Sequence, residues 1–539
     1  MKNSLATGLI SIWILTAPAA AAGAKSEMEL RRKDSVWFAA NPRSLPRWET
    51  LEERKAGKAY FADLDEEYRG RAHATPPPGP LRNPGEFERA SAVVIRYPFG
   101  VSIALVKELA LTTPTICLVT AAEQAQARRE MERGGVDLTG VRFILATTDS
   151  YWTRDYTPWP IFDAQGKPGL VKFTYNRPRP GDDAAGAAIA KALDLPLYPL
   201  NLLHAGGNYM TDGFGISAST ELVYEENSGL GRAEVTRRME NALGIKTYHA
   251  VDDPTGEAIK HIDTWSKFLA PDKVMVRRVP RSHRQYAAIE RAAAFFTAQI
   301  SAYGRPYRVF RVDTPFDEPY CNALILNDKV LVAITGGSND LAALESYRRA
   351  LPGYRVLGFA GEWLSTDALH CRTFGMVDPG LLHISHLALG DTVAPGSGGF
   401  SIEAAITAHS GKGLVADSLS LFYQLPSQTG FTRMTMAPGG PSQFRALIPE
   451  PTASGKVLYF LRAVDSSGRK ENHPFIGEAD AHAFFARVSA VAIASPGKRP
   501  GALALRVPEG IGGSVFYNVS GREIPPPRAR GPAVFFPHP

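Results

Sequence analysis

Hydrophobic and polar positions change their period repeatedly between residues 91 and 145. The pattern predicts short strands that alternate with helices of about ten residues. The predicted strands span 91–97, 116–120 and 141–145, and the helices between them span 101–111 and 122–133. Because this alternation continues to about residue 375, the sequence predicts a mixed α/β region.

Hairpin patterns interrupt the alternation. Residues 159–171 contain two apolar runs joined by a polar turn. Residues 267–276 and 322–332 repeat one order: a polar start, an apolar run, a short turn and a second apolar run. Recurrence of one strand-turn-strand unit predicts internally repeated α/β modules.

Helical periodicity fades after about residue 378. Short strand-like runs separated by polar turns follow, at 402–408, 419–424, 457–463 and 487–493. This spacing is typical of an immunoglobulin-like β-sandwich. We therefore expect a sandwich over residues 378–495 and a C-terminal tail over 496–539.

The amino-terminal residues have the order of a secretory signal peptide. Lys2 precedes an apolar stretch over 5–15, and small residues suited to cleavage follow to residue 24. The sequence thus predicts export, to the periplasm, the cell surface or the medium. The charged, proline-broken residues 25–76 are interpreted as a pro-segment or N-terminal arm. No stretch has about 20 consecutive apolar residues, so we expect no membrane span.

Composition excludes several classes of partner and site. The 539 residues carry a formal net charge of +6 without a long run of like charge, which argues against a nucleic-acid partner. Three cysteines occur, Cys117, Cys321 and Cys371, so at least one cannot be in an intramolecular disulfide. The lack of a CxxC pair disfavours a zinc ribbon or a thioredoxin-like site.

Polar residues that are rarely buried stand beside aromatic or apolar runs in four segments, 151–156, 204–209, 261–265 and 369–373. In an extended segment, His261 and Asp263 would leave from one face, because they are two residues apart. A thiol with a histidine and carboxylates suits attack on an electron-poor carbon. The carboxylates indicate that the substrate is cationic.

Arg177 and Arg179 each precede a proline, which favours extended backbone at both positions. Two arginines separated by one residue in an extended segment can point to one side and clamp a carboxylate. The alternative interpretation of this pattern is a basic surface turn.

Together, these segments resemble the Porphyromonas-type peptidylarginine deiminases, of the guanidino-group-modifying superfamily. The resemblance runs from about residue 77 to 375 and is carried by the motifs at 152–156, 204–213 and 261–263, by Asn322 and by 370–373. It implies a five-bladed α/β propeller of ββαβ-type units as the catalytic domain, over residues 77–377. It also implies chemistry without a metal or an organic cofactor.

The resemblance gives each matching residue a role. Cys371 would be the nucleophile that attacks the guanidinium carbon, and His261 the general acid and base. Asp155 and Asp263 would hold the guanidinium nitrogens, and Asn322 would help to order the site.

Three further residues would bind the rest of the substrate. Trp152 would pack along the methylene stem of the arginine. In the family, the pair that matches Arg177 and Arg179 holds the C-terminal carboxylate of a peptide that ends in arginine. Agmatine has no such carboxylate, so the pair favours peptide or protein substrates.

The expected function is an exported deiminase that converts peptidyl-arginine, preferably at a C-terminus, into citrulline and ammonia. A deiminase of agmatine or free arginine is the first alternative. A papain-like protease could also use a cysteine, a histidine and an asparagine, but the local sequence around such a nucleophile is missing. A non-catalytic binding protein on the same fold is the third alternative. The oligomeric state stays open.

Overall fold

The computed structural model describes residues 45–70, 77–257, 259–363, 367–488, 516–517 and 523–524. The predicted signal peptide, residues 1–24, and most of the predicted tail lie outside the described residues. The chain up to Val488 is one compact unit, and Ser489–Pro539 is a second. Within the described part of the chain, no helix is long and apolar enough to cross a membrane.

A mixed α/β region occupies the described residues between 90 and 377. Its strands are β1 (Ala90–Arg96), β2 (Thr115–Val119), β3 (Val141–Leu145), β4 (Trp159–Phe162), β5 (Pro168–Tyr175), β6 (Leu197–His204), β7 (Met210–Thr211), β8 (Ile216–Thr220), β9 (Thr247–Val251), β10 (Ser266–Ala270), β11 (Lys273–Arg278), β12 (Arg308–Asp313), β13 (Leu324–Leu326), β14 (Lys329–Ile334), β15 (Arg355–Ala360) and β16 (Phe374–Val377).

Helices lie before and between these strands. They are α1 (Leu51–Gly70), α2 (Ile103–Thr112), α3 (Gln124–Arg133), α4 (Thr153–Tyr156), α5 (Pro180–Leu193), α6 (Leu222–Glu226), α7 (Arg232–Leu243), α8 (Tyr286–Ala298) and α9 (Asp340–Ala350). The mixed α/β class predicted from the alternating pattern is therefore confirmed.

The strands of this region form five small sheets with one internal order. In β4-β5-β6, β7-β8-β9, β10-β11-β12 and β13-β14-β15, the first strand is antiparallel to the second. The second strand is parallel to the third, and α5, α7, α8 or α9 connects the two. The fifth sheet joins the end of the region to its beginning, because β16 is antiparallel to β1 and β1 is parallel to β2. The arrangement of these sheets as a closed propeller stays a prediction.

The middle strands are buried because helices cover them. In β11 the first five residues are buried, and β14 shows the same pattern. Burial on both faces is typical of parallel strands joined by helical crossovers. Ile289 and Phe296 of α8 are fully buried and belong to the same apolar cluster as Val274 and Val276 of β11.

A second, β-rich region follows β16. Its strands are β17 (Leu382–Ser385), β18 (Thr392–Val393), β19 (Phe400–Ala408), β20 (Ser420–Gln424), β21 (Thr432–Thr435), β22 (Ala437–Gly440), β23 (Gln443–Ile448), β24 (Gly455–Val464), β25 (Lys470–His473) and β26 (His482–Ala486). They form a sheet of order β17-β19-β23-β22 and a second sheet built around β24. Side chains of both sheets share one apolar core.

The last strand predicted for this region is tested only in part. The region ends with a strand at His482–Ala486, residues 487–488 are not in a strand, and residues 489–493 of the strand predicted over 487–493 lie outside the described residues. The strand begins where His482, Phe484 and Ala486 alternate toward the core. The immunoglobulin-like character of the region stays a prediction.

Ion pairs connect the β-rich region to the α/β region. Lys273 pairs with Asp480 at 2.8 Å, and Arg305 pairs with Asp391 at 3.2 Å. A cavity of about 630 Å³ lies between the two regions, lined in part by Tyr303 and Arg305. None of the predicted site residues lines this cavity, so it is separate from the candidate site.

Candidate active site

Most of the candidate residues lie in short turns at the same position of the repeated sheets, just before the first strand. The turns Thr153–Tyr156, Gly206–Asn208, Ile262–Thr264 and His370–Arg372 directly precede the first strands β4, β7, β10 and β16. Asn322 stands two residues before β13. The turn at 153–156 contacts the turns at 206–208 and 370–372. The turn at 206–208 also contacts the one at 262–264. Residues far apart in the chain therefore meet because each occupies the same place in its own unit.

Cys371 lies at the meeting point and is 2% exposed. Asn322 holds it twice, since Asn322 Nδ2 is 3.1 Å from the sulfur and Asn322 Oδ1 accepts from the Cys371 backbone nitrogen at 3.2 Å. The thiol faces two carboxylates, with Sγ 3.4 Å from Asp263 Oδ2 and 3.7 Å from Asp367 Oδ1. Asn322 thus fixes both the thiol and the backbone of Cys371, while the catalytic roles of the two residues stay predictions.

The imidazole and the two predicted carboxylates converge on Gly207. A methyl group on its α-carbon would lie 2.7 Å from both Asp155 Oδ1 and His261 Nδ1, and 3.3 Å from Asp263 Oδ2. The Gly207 backbone nitrogen donates to Asp155 Oδ1 at 3.1 Å, and His261 Nδ1 is 3.6 Å from the same oxygen. A side chain at position 207 would fill the space between these three groups.

The reason for this convergence differs from the one expected. His261 has extended backbone, but Asp263 lies within the 3-10 turn Ile262–Thr264 rather than in a strand. The turn is fixed by Asn208, whose Oδ1 accepts from the backbone nitrogens of Ile262 at 3.2 Å and Thr220 at 2.9 Å. The two side chains therefore meet through a turn, not through the alternation of a strand.

His370 supports Asp263 from behind. Its Nδ1 is 2.7 Å from Asp263 Oδ2, and its Nε2 is 2.6 Å from Glu86 Oε2. Glu86 also pairs with Arg154 at 2.9 Å and with Lys267 at 2.8 Å. Burial alone would raise the pKa of Asp263, but the hydrogen bond and the charge of His370 lower it below its ordinary value. Asp263 is therefore held as a carboxylate.

Burial favours the neutral forms of the other groups in the pocket. Burial raises the pKa of the Cys371 thiol well above its ordinary value, and the charges of Asp263 and Asp367 raise it further. Burial also raises the pKa of Asp155, with the charges of Asp263 and Asp367 adding to the shift. Burial lowers the pKa of His261 to about 4. A cation bound here would reverse the first two shifts, because it stabilises the thiolate and the carboxylate.

The three residues predicted to bind the rest of the substrate are all buried beside this pocket. Trp152 forms an apolar cluster with Cys371 and Tyr151. Arg177 Nη1 donates to the Asn176 carbonyl at 2.9 Å and lies 3.9 Å from Glu226 Oε1. The charge of Arg177 helps to lower the pKa of His261.

Arg179 already has a carboxylate partner. Its Nε donates to Glu53 Oε1 at 2.7 Å, and the guanidinium is completely buried. Glu53 lies in α1, within the segment predicted to be a pro-segment or arm. Arg177 and Arg179 thus have different carboxylates as neighbours, and their joint clamp on a substrate carboxylate stays a prediction.

Sequence reasoning missed two carboxylates that shape the site. Asp367 lies four residues before Cys371, and burial raises its pKa to about 6. Glu86 lies in the loop before β1 and reaches the site only through His370. The closeness of Asp367 to the nucleophile in the chain was an available signal, whereas nothing near Glu86 in the sequence indicates its partners.

Among the described residues, no group of three or more histidine, cysteine, aspartate or glutamate side chains is arranged to hold a metal ion. The expectation of chemistry without a metal or a cofactor stays a prediction. The site's own donors and acceptors are the groups available to a cationic substrate. Asp263 Oδ1 is one of them, since it is buried and has no hydrogen-bond partner within the described part of the chain.

Comparisons with known proteins agree with this geometry. A family model described as Porphyromonas-type peptidyl-arginine deiminase matches residues 84–376. A protein of Lactococcus lactis subsp. lactis with a provisional agmatine deiminase name is 22% identical over 340 residues, covering 53% of this chain and 91% of its own length. Agmatine deiminase of Pseudomonas fluorescens is 22% identical over 230 residues, covering 40% of this chain and 61% of its own.

A solved structure shares the fold of the α/β region. The structure of agmatine deiminase of Enterococcus faecalis aligns with a TM-score of 0.51 at 20% identity, covering 56% of this chain and 96% of that one. At this identity, the likeness concerns the fold alone. The resemblance inferred from the motifs is confirmed by the family match.

Asp367 lies close to the Cys371 sulfur and was not predicted from the sequence. Its replacement tests the electrostatics of the pocket. In Asp367→Asn, the thiol loses one of its negative neighbours, so its pKa falls. We expect labelling of Cys371 by iodoacetamide at pH 8 to be roughly three- to tenfold faster, with the profile moved to lower pH. Peptide mass spectrometry would measure labelling at each cysteine. The exposed Glu345→Gln is the control, and an unmoved pH profile in Asp367→Asn would contradict the account.

Proposed function

The chain belongs to the Porphyromonas-type peptidyl-arginine deiminase family, and on that premise we propose that it converts arginine at the C-terminus of a peptide into citrulline and ammonia. The family match supports a hydrolase that acts on guanidino C–N bonds. One observation carries the proposal: a buried thiol, an imidazole and two carboxylates converge in one pocket beside paired arginines. The carboxylates suit a planar cation, and a thiol suits attack on its carbon.

The reaction follows from the charge states of the free site. Asp155 and Asp263 hold the guanidinium nitrogens, and the bound cation favours loss of the thiol proton. Cys371 Sγ attacks the guanidinium carbon, while neutral His261 accepts the thiol proton and returns it to the departing nitrogen. The C–N bond breaks, ammonia leaves, and a thiouronium remains on Cys371.

Water completes the reaction. His261, neutral again after giving up its proton, removes a proton from water, which attacks the thiouronium carbon. The C–S bond then breaks, the protonated His261 returns its proton to the sulfur, and citrulline leaves. The remaining hydroxyl proton passes to solvent, where it converts the released ammonia into ammonium. Each turnover removes one positive charge from the peptide, which abolishes its bidentate pairing with carboxylates.

The choice of a C-terminal arginine rests on Arg177 and Arg179. Both arginines are buried, which costs free energy unless an anion compensates the charge. Glu53 compensates Arg179 here, and the α-carboxylate of a substrate is the corresponding group in a peptide that ends in arginine.

Agmatine is the second candidate substrate. The Pseudomonas fluorescens and Enterococcus faecalis relatives are named agmatine deiminases, which supports this alternative. Asp367 and Glu257 also support the agmatine alternative. These carboxylates hold Arg47 near the thiol, and they could accept the amine of agmatine. Free arginine carries an α-carboxylate in addition to the amine and guanidinium of agmatine, so it would use the same groups of the protein.

The proposal also includes export, a closed five-bladed arrangement of the sheets and an immunoglobulin-like β-rich region. Export depends on residues 1–24, and the N-terminal sequence of secreted protein would test cleavage near Ala22 or Ala24. The proposed partners are arginine-bearing peptides or proteins, without nucleic acid.

Substrate comparison distinguishes the two candidates. We expect the highest kcat/KM for a peptide that ends in arginine, a lower value for internal arginine and the lowest for agmatine, with Cys371→Ala inactive on all three. Arg177→Ala should lower kcat/KM for the C-terminal substrate by roughly 100-fold, because a charged hydrogen-bond partner is lost. Colorimetric citrulline detection measures the peptide substrates, and ammonia release measures all three. A higher kcat/KM for agmatine than for the peptides would support the agmatine alternative. If Arg177→Ala lowered kcat/KM equally for C-terminal and internal arginine, the clamp would be contradicted.

Substrate binding should release a proton at neutral pH. The pKa of Asp155 is raised in the free protein by burial and by Asp263 and Asp367, which favours the protonated form of its carboxyl group. A guanidinium lowers that pKa, and the proton leaves. In Cys371→Ala, which holds uncleaved substrate, calorimetry in buffers of different ionisation enthalpy should show about one proton released per peptide bound. Peptide binding to the double variant, Cys371→Ala with Asp155→Asn, should release no proton. Binding to the single variant Cys371→Ala without proton release would exclude this role of Asp155.

A further inference from the structure

The amino-terminal segment, residues 45–54, lies across the residues proposed to bind substrate. Trp152 Nε1 donates to the Leu45 carbonyl at 3.1 Å. Arg179 Nη2 donates to the carbonyl of Pro46 at 2.5 Å and lies 3.3 Å from that of Trp48. The segment therefore uses main-chain groups, as a bound peptide does, on two of the three residues predicted to contact substrate.

Glu53 occupies the proposed carboxylate clamp. Its two oxygens lie 2.7 Å from Arg179 Nε and 3.4 Å from Arg179 Nη2. Burial would raise the pKa of Glu53, but the hydrogen bond and charge of Arg179 lower it, so the carboxylate stays ionised. Glu53 also forms a capping box with Thr50 at the start of α1, which fixes its direction.

Arg47 brings a guanidinium next to the nucleophile. Its Nη1 is 3.2 Å from Asp367 Oδ2 and 3.4 Å from Glu257 Oε2. The other oxygen of Asp367 is 3.7 Å from Cys371 Sγ. One carboxylate therefore touches both the arginine of the segment and the thiol.

We propose that residues 45–54 form an inhibitory strap over the substrate site, with Glu53 in the place of the substrate carboxylate and Arg47 held by Asp367 beside the cation site. Arg179 cannot hold Glu53 and a substrate carboxylate at once, so strap and substrate compete. The apparent affinity for substrate is then reduced by the fraction of molecules in which the strap is displaced. Proteolytic removal of the segment, or its displacement by a tightly bound peptide, activates the enzyme. The identity of the competing substrate rests on the proposed function.

Neutral variants of the two strap residues test the competition in the full chain. We expect Arg47→Gln with Glu53→Gln to lower KM for a peptide that ends in arginine by about tenfold, with kcat unchanged. The control is Glu52→Gln with Lys55→Gln, which removes the same two charge signs from exposed positions of α1 on either side of Glu53. An unchanged KM in the strap variant, or a higher one, would overturn the proposal, since a higher KM makes the segment part of the substrate site.

Labelling of Cys371 by iodoacetamide gives a measurement that needs no substrate. We expect labelling about fivefold faster in the strap variant than in the control, because displacement of the strap exposes the thiol. Faster labelling in a protein that deiminates nothing would refute the proposed function and leave the strap intact. Normal turnover with labelling and KM equal to those of the control would refute the strap alone. Arg47→Gln by itself, which leaves the capping box in place, gives the same comparison if the double variant fails to fold.

Discussion

The site depends on negative charge buried around a single thiol. Asp155, Asp263 and Asp367 all raise the pKa of Cys371, and burial strengthens their repulsion of a thiolate. The structure compensates this charge through His370 on Asp263, the Gly207 backbone on Asp155 and Arg47 on Asp367. In the proposed reaction, a planar cation would add to this compensation and favour the thiolate in the same step.

Repetition within the fold explains how such a concentration of charge forms. Each small sheet begins with an antiparallel strand preceded by a short turn, and the turns meet. The unit that supplies Asp155 is folded by its own hairpin and helix, as are the units that supply Asp263 and Asn322. The unfavourable electrostatics of the pocket are therefore offset by packing elsewhere in each unit, such as the buried strands β11 and β14.

The sequence predicted those parts of the molecule that depend on local pattern. The alternation of strands and helices and the recurring hairpins follow from the spacing of apolar residues, and the motifs around Cys371 and His261 carried the family resemblance. Contacts between distant segments left no such signal: Glu53 and Arg179 are 126 residues apart. The pairing of His261 with Asp263 was inferred from strand alternation, whereas a turn held by Asn208 produces it. Local pattern determines which groups are present, and tertiary packing determines which of them meet.

Trapping the covalent intermediate tests the central claim most directly. The enzyme would be mixed with a peptide that ends in arginine, quenched with acid within a turnover, digested and examined by mass spectrometry. The account predicts an adduct on Cys371 with the mass of the peptide less one ammonia, absent from Cys371→Ala. Citrulline formed at full rate by Cys371→Ala, or an adduct on another residue, would contradict it.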